Sequence, residues 1–425
     1  MLKKIFPFFV VIAFSWCSCA PKLLSLEGQH ITIIPDSVFA KKNLKELTIN
    51  GTEIDSLSPN IGVLQELETL DIDGNSRLIY LPNEIGKLTK LKNLSLQYNK
   101  LDTLPTSIAN LKGLECLTLK EGRLRTIPSF LRQLPQLKEL HLSGQMLLLD
   151  KKSSLWKLEH LQELSIDNKT LNSLPKEINQ LKKLKKLTLR STELTDALAL
   201  NLNTSALKNL TNLSLKNNQL NSFPSHLAEL QSLKKLDLTS NKIYAGSFPQ
   251  YMDQLNNLEE LYLSYNPIQF IPECIGDLKS LEVFFAHHTE IDTLPEYFAK
   301  LENLKNLNLA YTLIRNLPQT LTKLKKLRNL HIAFTRIEEL PEWIGELKEL
   351  RTLNLRYTRL RKLPKSIGQL KRLEYLDIGD VWWLKELPKS IKKLQNLKKI
   401  TISRHNSAIK RQIKEYLPNC QIHEM

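Results

Sequence analysis

Aromatic and imidazole rings recur at a fixed interval in the C-terminal half of this 425-residue chain. Tyr265, His288, Tyr311, Phe334 and Tyr357 follow one another every 23 residues. Such rings combine apolar area with a polar edge, and they often anchor a binding partner. They could instead stack as a ladder, which stabilises neighbouring strands by about 0.2–1 kcal/mol per pair. The spacing allows both interpretations, and we take the contact surface as the prediction.

More rings surround this series and extend the predicted surface. One group of rings stands three residues before a member of the series, and His287 stands directly before His288. Two further candidates follow the series towards the C-terminus. The additional candidate partner-binding residues are Tyr262, Phe285, His287, His331, Tyr375 and Trp382.

The residue types that support metal binding or catalysis lack the required spacing. His287 and His288 are adjacent, so on a strand they would point to opposite sides, or they would lie around a turn. The five cysteines form no C-x-x-C pair and no ligand-spaced His/Cys cluster, so we expect no metal site and no cofactor. We find no G-x-S-x-G, no Gly-rich phosphate loop and no H-E-x-x-H. The chain is therefore predicted not to be an enzyme.

A repeat must position these side chains. Residues 327–372 contain two 23-residue copies of one pattern, L-x-x-L-x-[IL]-x-x-T-x-[IL]-x-x-L-P-x-x-I-x-x-L. We number each copy from its first Leu. The L-x-x-L-x-L segment alternates as a short strand does, and copies would place these strands side by side. Copies begin at Leu44, Leu67, Leu91, Leu114, Leu137, Leu161, Leu184, Leu210, Leu233, Leu258, Leu281, Leu304, Leu327, Leu350, Leu373 and Leu397.

Two other positions of the copy carry structural information. Position 9 is Asn or Thr in most copies, which suits a side chain that pairs buried backbone groups where the chain leaves the strand. Fourteen of the nineteen prolines stand at position 15 or one or two residues after it, and proline there predicts the first position of a helical turn. Short helical or 3-10 segments should therefore form the outer side.

This pattern resembles the leucine-rich repeat family over almost the whole chain. The resemblance implies an α/β solenoid shaped as a curved horseshoe. Parallel strands would line its concave face, and short helical or 3-10 segments would form its convex face. It also implies that the concave face binds another protein.

The N-terminus resembles the signal of a bacterial lipoprotein. Two lysines precede an apolar run at residues 5–16, which is shorter than the roughly 20 residues that span a bilayer. Ser18 and Cys19 follow in the manner of a lipobox, although Trp16 departs from its usual Leu. The resemblance implies lipidation of Cys19, export, and membrane anchoring in the bacterial cell envelope, at the outer membrane or the cell surface.

The predicted organisation has four parts. Residues 1–18 are the signal peptide, and 19–43 are a tether with an atypical first repeat. Residues 44–402 are the repeats. Residues 403–425 are a capping helix and strand, because Ile409, Ile413 and Leu417 recur at helical spacing and a terminal core edge must be covered.

The net charge of +16 leaves other partners open. Aromatic and basic residues of the C-terminal half could bind an anionic glycan or lipopolysaccharide, and basic residues near the C-terminus could meet anionic lipid. If the N-terminus is not processed, the chain would be an intracellular interaction scaffold. No nucleic-acid partner is expected for an exported protein.

Overall fold

The predicted signal peptide and Cys19 lie outside the residues that the structure describes. The structure is a computed structural model that describes residues 22–144, 147–169, 171–195, 200–203 and 205–425.

The described residues form one open sheet of 18 parallel strands. Each strand pairs with the next in chain order; for example, Asn329 lies opposite Thr352, and Leu330 opposite Leu353. The second residue of each strand is apolar, most often Leu, and it is buried in every strand but the last, whereas its neighbours remain at least partly exposed in most strands. This confirms the predicted leucine-rich repeat solenoid. The strands are β1 Leu23–Ser25, β2 Glu46–Thr48, β3 Thr69–Asp71, β4 Asn93–Ser95, β5 Cys116–Leu119, β6 Glu139–Ser143, β7 Glu163–Asp167, β8 Lys186–Arg190, β9 Asn212–Ser214, β10 Lys235–Asp237, β11 Glu260–Tyr262, β12 Val283–Phe285, β13 Asn306–Asn308, β14 Asn329–His331, β15 Thr352–Asn354, β16 Tyr375–Ile378, β17 Lys399–Ile402 and β18 Gln421–Glu424.

Short 3-10 helices form the outer side, and the prediction for their prolines was wrong by one residue. Pro82 and Pro364 stand immediately before their helices with extended backbone, and Pro59 alone among the described helices occupies the first helical position. The fixed φ of proline suits both conformations, while the proline carbonyl accepts the first turn bond, as from Ile367 N. The 3-10 helices are Pro59–Val63, Asn83–Lys87, Thr106–Asn110, Ser129–Gln133, Ser154–Lys157, Lys176–Gln180, Ser225–Glu229, Ala245–Ser247, Glu273–Asp277, Glu296–Lys300, Gln319–Lys323, Glu342–Glu346, Lys365–Gln369 and Lys389–Lys393.

Asn at position 9 connects successive copies. The Asn99 amide donates to the carbonyl of Ile72 in the preceding copy at 2.6 Å and to Leu96 at 2.9 Å. Its Oδ1 accepts from the backbone N–H of Asn75 at 3.1 Å. Asn99 is buried, so these bonds satisfy backbone groups that water cannot reach.

Thr at position 9 acts differently in the C-terminal copies. The hydroxyls of Thr312 and Thr358 each donate at 2.7 Å to the carbonyl three residues earlier, on Leu309 and Leu355. Those bonds remain within one copy. A run of copies with Thr therefore lacks the side-chain bond that Asn makes to the preceding copy.

Two α-helices lie near the ends of the described chain. Helix α1 covers Asp36–Phe39, and helix α2 covers Ser407–Tyr416. The Asn406 side chain accepts a hydrogen bond from Ile409 N at 3.1 Å and so caps α2. Helix α2 buries Ile409 and Ile413. No helix among the described residues has the length and apolar character needed to cross a bilayer.

Candidate functional site

The recurring rings form a continuous stack, which we call the aromatic ladder: Tyr265, His288, Tyr311, Phe334 and Tyr357. The ring centroids of successive members are 4.3, 4.0, 4.0 and 4.5 Å apart. Their planes differ by 10–22°. The structure thus contains the stack that the sequence left as an alternative. Stacking does not prevent binding, because Tyr265, Tyr311 and Tyr357 remain 41–48% exposed.

The backbone of the aromatic ladder is left-handed, with φ between 54° and 57°. A side chain in this conformation is strained by about 1–2 kcal/mol. Position 8 adopts it because the chain turns sharply there while its N–H reaches the next copy. Tyr311 N donates to Ala333 O at 2.9 Å, and Phe334 N donates to Arg356 O at 2.7 Å. The same conformation occurs at Tyr98, which has φ of 59°.

The C-terminal end of the aromatic ladder meets charged groups. Position 8 of the next copy is Asp380, whose carboxylate lies 3.1 Å from Arg356. The Arg356 guanidinium also lies over the Tyr357 ring, 5.3 Å from its centroid. An ion pair and a cation–π contact therefore continue the ladder where its rings end.

Tyr262 and Phe285 form a second group on strands β11 and β12. Their rings meet edge to face at 5.3 Å. The Tyr262 hydroxyl donates to Glu260 at 2.8 Å, and Lys235 Nζ lies 4.7 Å from the Tyr262 ring centroid. Burial, followed by the Glu260 carboxylate, raises the pKa of Tyr262. The hydroxyl therefore remains protonated at physiological pH.

The imidazoles of this region are predominantly neutral. Burial lowers the pKa of His287, and His288 and Lys216 lower it further. Burial also lowers the pKa of His331, while Asp377 opposes that shift. His287 meets both Tyr265 and His288 edge to face, at 5.2 and 5.4 Å. These rings offer hydrogen-bonding edges without a full positive charge.

An open trough of about 580 Å³ follows the edge of the aromatic ladder. Its walls combine rings and charged groups. Trp382 and Trp383 are 51% and 50% exposed, although Trp residues usually bury most of their surface. We call this surface the aromatic trough. It is lined by His288, Tyr311, Thr312, Leu313, Phe334, Thr335, Arg336, Tyr357, Thr358, Arg359, Asp380, Trp382 and Trp383.

The predicted surface is therefore divided. Four ladder members and Trp382 share the aromatic trough, whereas the remaining candidates do not line it. Sequence analysis missed Arg336 and Arg359, which stand one residue after the position-9 Thr. Their recurrence at position 10 was the available signal. The candidates outside the trough are Tyr262, Tyr265, Phe285, His287, His331 and Tyr375.

Family models match more than half of the chain. A model described as "Leucine-rich repeat region" matches residues 82–214 and 319–419. A second model, "Leucine Rich Repeat", matches residues 257–278. Both matches cover repeats of the sheet, and the first extends through helix α2.

Solved structures share the fold. The leucine-rich repeat protein LIC12759 of Leptospira interrogans is 33% identical, with a TM-score of 0.72, and the match covers 94% of each chain. The plant peptide hormone receptor RGFR1, solved in complex with RGF2, is 24% identical, with a TM-score of 0.52. That match covers 87% of this chain and 65% of the receptor, and it shows similarity of fold.

One curated relative matches over a short stretch. Part of the adenylate cyclase of Schizosaccharomyces pombe is 37% identical over 73 residues. The match spans 17% of this chain and 4% of the cyclase. A match of that extent carries no activity to this chain.

Proposed function

Since this chain belongs to the leucine-rich repeat family, we propose that it is an exported, lipid-anchored bacterial protein that binds another protein through its concave face. The aromatic trough at the edge of that face would anchor the partner. The observation that carries this proposal is the exposure of Trp382 and Trp383, at 51% and 50%, beside the rings of Tyr311 and Tyr357.

The composition of the aromatic trough supports a protein partner. Trp, Tyr and Arg are the side chains that dominate the energy of protein interfaces. Here the rings of the aromatic ladder are fixed by stacking before any partner arrives, so their ordering costs little on binding. Arg336 and Arg359 offer planar donors for carboxylates or backbone carbonyls of the partner.

Paired substitutions test the trough. Trp382→Ser together with Trp383→Ser removes exposed rings that stack on no described ring. The control, Tyr80→Ser together with Tyr251→Ser, removes two rings that are 54% and 64% exposed and lie outside the trough. We expect a partner recovered by chemical cross-linking from envelope extracts to be lost with the Trp variant and kept with the control. Equal recovery with both variants would reject the trough as the site.

The N-terminal residues support export and lipidation. A cysteine after the small residue Ser18, preceded by a short apolar run, is typical of lipoprotein signals. More than one acyl chain on Cys19 would give stable attachment. Mass spectrometry of the mature N-terminus should find acylated Cys19 as its first residue. An intact Met1 without acyl mass would instead support an intracellular scaffold.

An anionic glycan, such as lipopolysaccharide, is the second candidate ligand. It is favoured by Arg336 and Arg359 in the same trough as two exposed Trp rings, since sugars stack on aromatic faces and their acidic groups pair with Arg. A glycan array that includes acidic sugars tests it: absence of binding would remove this candidate. The basic C-terminal end is partly neutralised by Lys398–Glu374 at 2.5 Å and Lys410–Glu424 at 2.6 Å.

A further inference from the structure

Three metal-binding side chains meet on neighbouring strands, far from the aromatic trough in sequence. Cys116 lies on β5, and Glu139 and His141 lie on β6. Their ligand atoms, Sγ, a carboxylate oxygen and an imidazole nitrogen, all lie within 4.8 Å of one another. The parallel register creates this cluster, because it pairs Cys116 with Glu139 and Thr118 with His141.

The three ligand groups are not committed to other charged partners. Glu139 forms no ion pair among the described residues, although the neighbouring Glu163 pairs with Lys186 at 2.9 Å. Burial, followed by the neighbouring Glu139, raises the pKa of the Cys116 thiol to about 11.

The imidazole completes a suitable set of ligands. Burial, followed by Lys120, lowers the pKa of His141, while Glu163 and Glu139 oppose the shift. A neutral imidazole is the form that coordinates a metal. His141 is half-buried, and the structure shows no hydrogen bond to its ring within the described chain.

We propose that Cys116, Glu139 and His141 bind a Zn²⁺ ion. Thiolate, imidazole and carboxylate are the three ligand types that Zn²⁺ accepts, at roughly 2.0–2.3 Å. Bonds of that length place tetrahedral ligand atoms about 3.3–3.8 Å apart. From separations of up to 4.8 Å, the three side chains would rotate towards the ion to reach this spacing. Three protein ligands leave one position open to water or to a partner's side chain.

Metal titration of the full chain in detergent tests the proposal. We expect one Zn²⁺ to bind in calorimetry. With Co²⁺ as the probe, we expect a thiolate-to-metal absorption band. Cys116→Ser, Glu139→Gln and His141→Gln should each lower the affinity for Zn²⁺ by more than about tenfold, because loss of an outer-shell partner alone lowers metal affinity 10–100-fold. Acidification should also weaken binding as the ligands become protonated.

Two other cysteines provide matched controls. Cys274 and Cys420 are free thiols of the described chain outside the cluster, so Cys274→Ser and Cys420→Ser should keep the Co²⁺ band and the Zn²⁺ affinity. The conservative Glu139→Gln and His141→Gln variants keep the test valid if Cys116→Ser does not fold. Unchanged Zn²⁺ affinity in these two variants would overturn the proposal. So would a thiolate-to-Co²⁺ absorption band that persists in a folded Cys116→Ser variant.

Discussion

Replacing Tyr311 by Ala and by Gly separates the two opposing effects at the centre of the aromatic ladder. Tyr311 stacks on His288 and on Phe334, each at 4.0 Å, and such contacts are each worth about 0.5–1.5 kcal/mol. Either substitution should therefore remove about 1–3 kcal/mol of stacking. Only Gly also removes the strain of φ 56°, which is worth about 1 kcal/mol. We expect Tyr311→Gly to be more stable than Tyr311→Ala by that amount.

Tyr98 is the matched control for the strain alone. It occupies the same position of its copy with φ 59°, and it stacks on no ring among the described residues. Tyr98→Ala should change stability little, whereas Tyr98→Gly should raise it by about 1 kcal/mol. Urea unfolding followed by far-UV circular dichroism measures all four variants, and equal slopes would show that the extent of unfolding is unchanged.

Two results would refute this reasoning. If Tyr311→Gly were no more stable than Tyr311→Ala, the left-handed backbone would not be strained by its side chain. If Tyr311→Ala destabilised the protein no more than Tyr98→Ala, the stacking contacts would contribute nothing measurable. The partner experiment is independent, because Trp382 and Trp383 can be replaced without altering the ladder.

Three further predictions concern the backbone bonds, the outer turns and a carboxylate. Asn99→Ala should lower the free energy of unfolding by about 1–3 kcal/mol per unsatisfied buried group. Thr358→Ala should lower it less, because the Thr358 hydroxyl makes one hydrogen bond. Urea titration compares the stabilities of the two variants. Gly368→Ala would place a Cβ 2.2 Å from Ser390 O and should lower the free energy of unfolding by about 1–3 kcal/mol. Gly122→Ala would place its Cβ 3.8 Å from the nearest atom and should lower it less. Similar urea midpoints for the two variants would contradict this prediction. Burial raises the pKa of the Asp71 carboxyl from 3.8 to about 6, so the ionised carboxylate opposes folding above pH 6. Asp71→Asn should therefore stabilise the protein at pH 7.5 and lose that advantage near pH 4. A difference in urea midpoint between variant and wild type that does not depend on pH would reject this prediction.

The repeat was predictable because it is a local pattern. Leucines at fixed spacing determine which side chains are buried, and copies of equal length must place their strands in register. The predicted place of the repeat proline was wrong by one residue, because a φ near −65° suits both the residue before a helical turn and the first residue of that turn. The sequence showed the change from Asn to Thr at position 9. It did not show that Asn bonds to the preceding copy while Thr bonds within its own.

The candidate site was less predictable because it depends on contacts between copies. The ring series could be found, but stacking and exposure depend on backbone conformation that spacing does not encode. Arg336 and Arg359 enter the trough through the turn after the strand. Cys116 lies a full copy away from Glu139 and His141, so a search for closely spaced ligands cannot detect this cluster.

The aromatic ladder also accounts for the Thr copies. Thr289, Thr312, Thr335 and Thr358 follow ladder members and make no bond to the preceding copy through their hydroxyls. Ring stacking at position 8 connects those copies instead. The side-chain contact between successive copies is therefore made by Asn at position 9 in one part of the chain and by the ring at position 8 in another.

Because successive ladder copies contact each other in the same way, one copy can be removed without changing how the remaining copies pack. Removal of residues 327–349 would join Lys326 to Leu350 and bring Tyr311 next to Tyr357 in the stack. Asn306 would then lie opposite Thr352, since both now pair with Asn329. The protein would become shorter by one strand spacing, about 4.8 Å. The strand pairing and the ring stack would both remain continuous. Recombination between copies could thus lengthen or shorten the proposed binding face by one strand spacing at a time without a new fold.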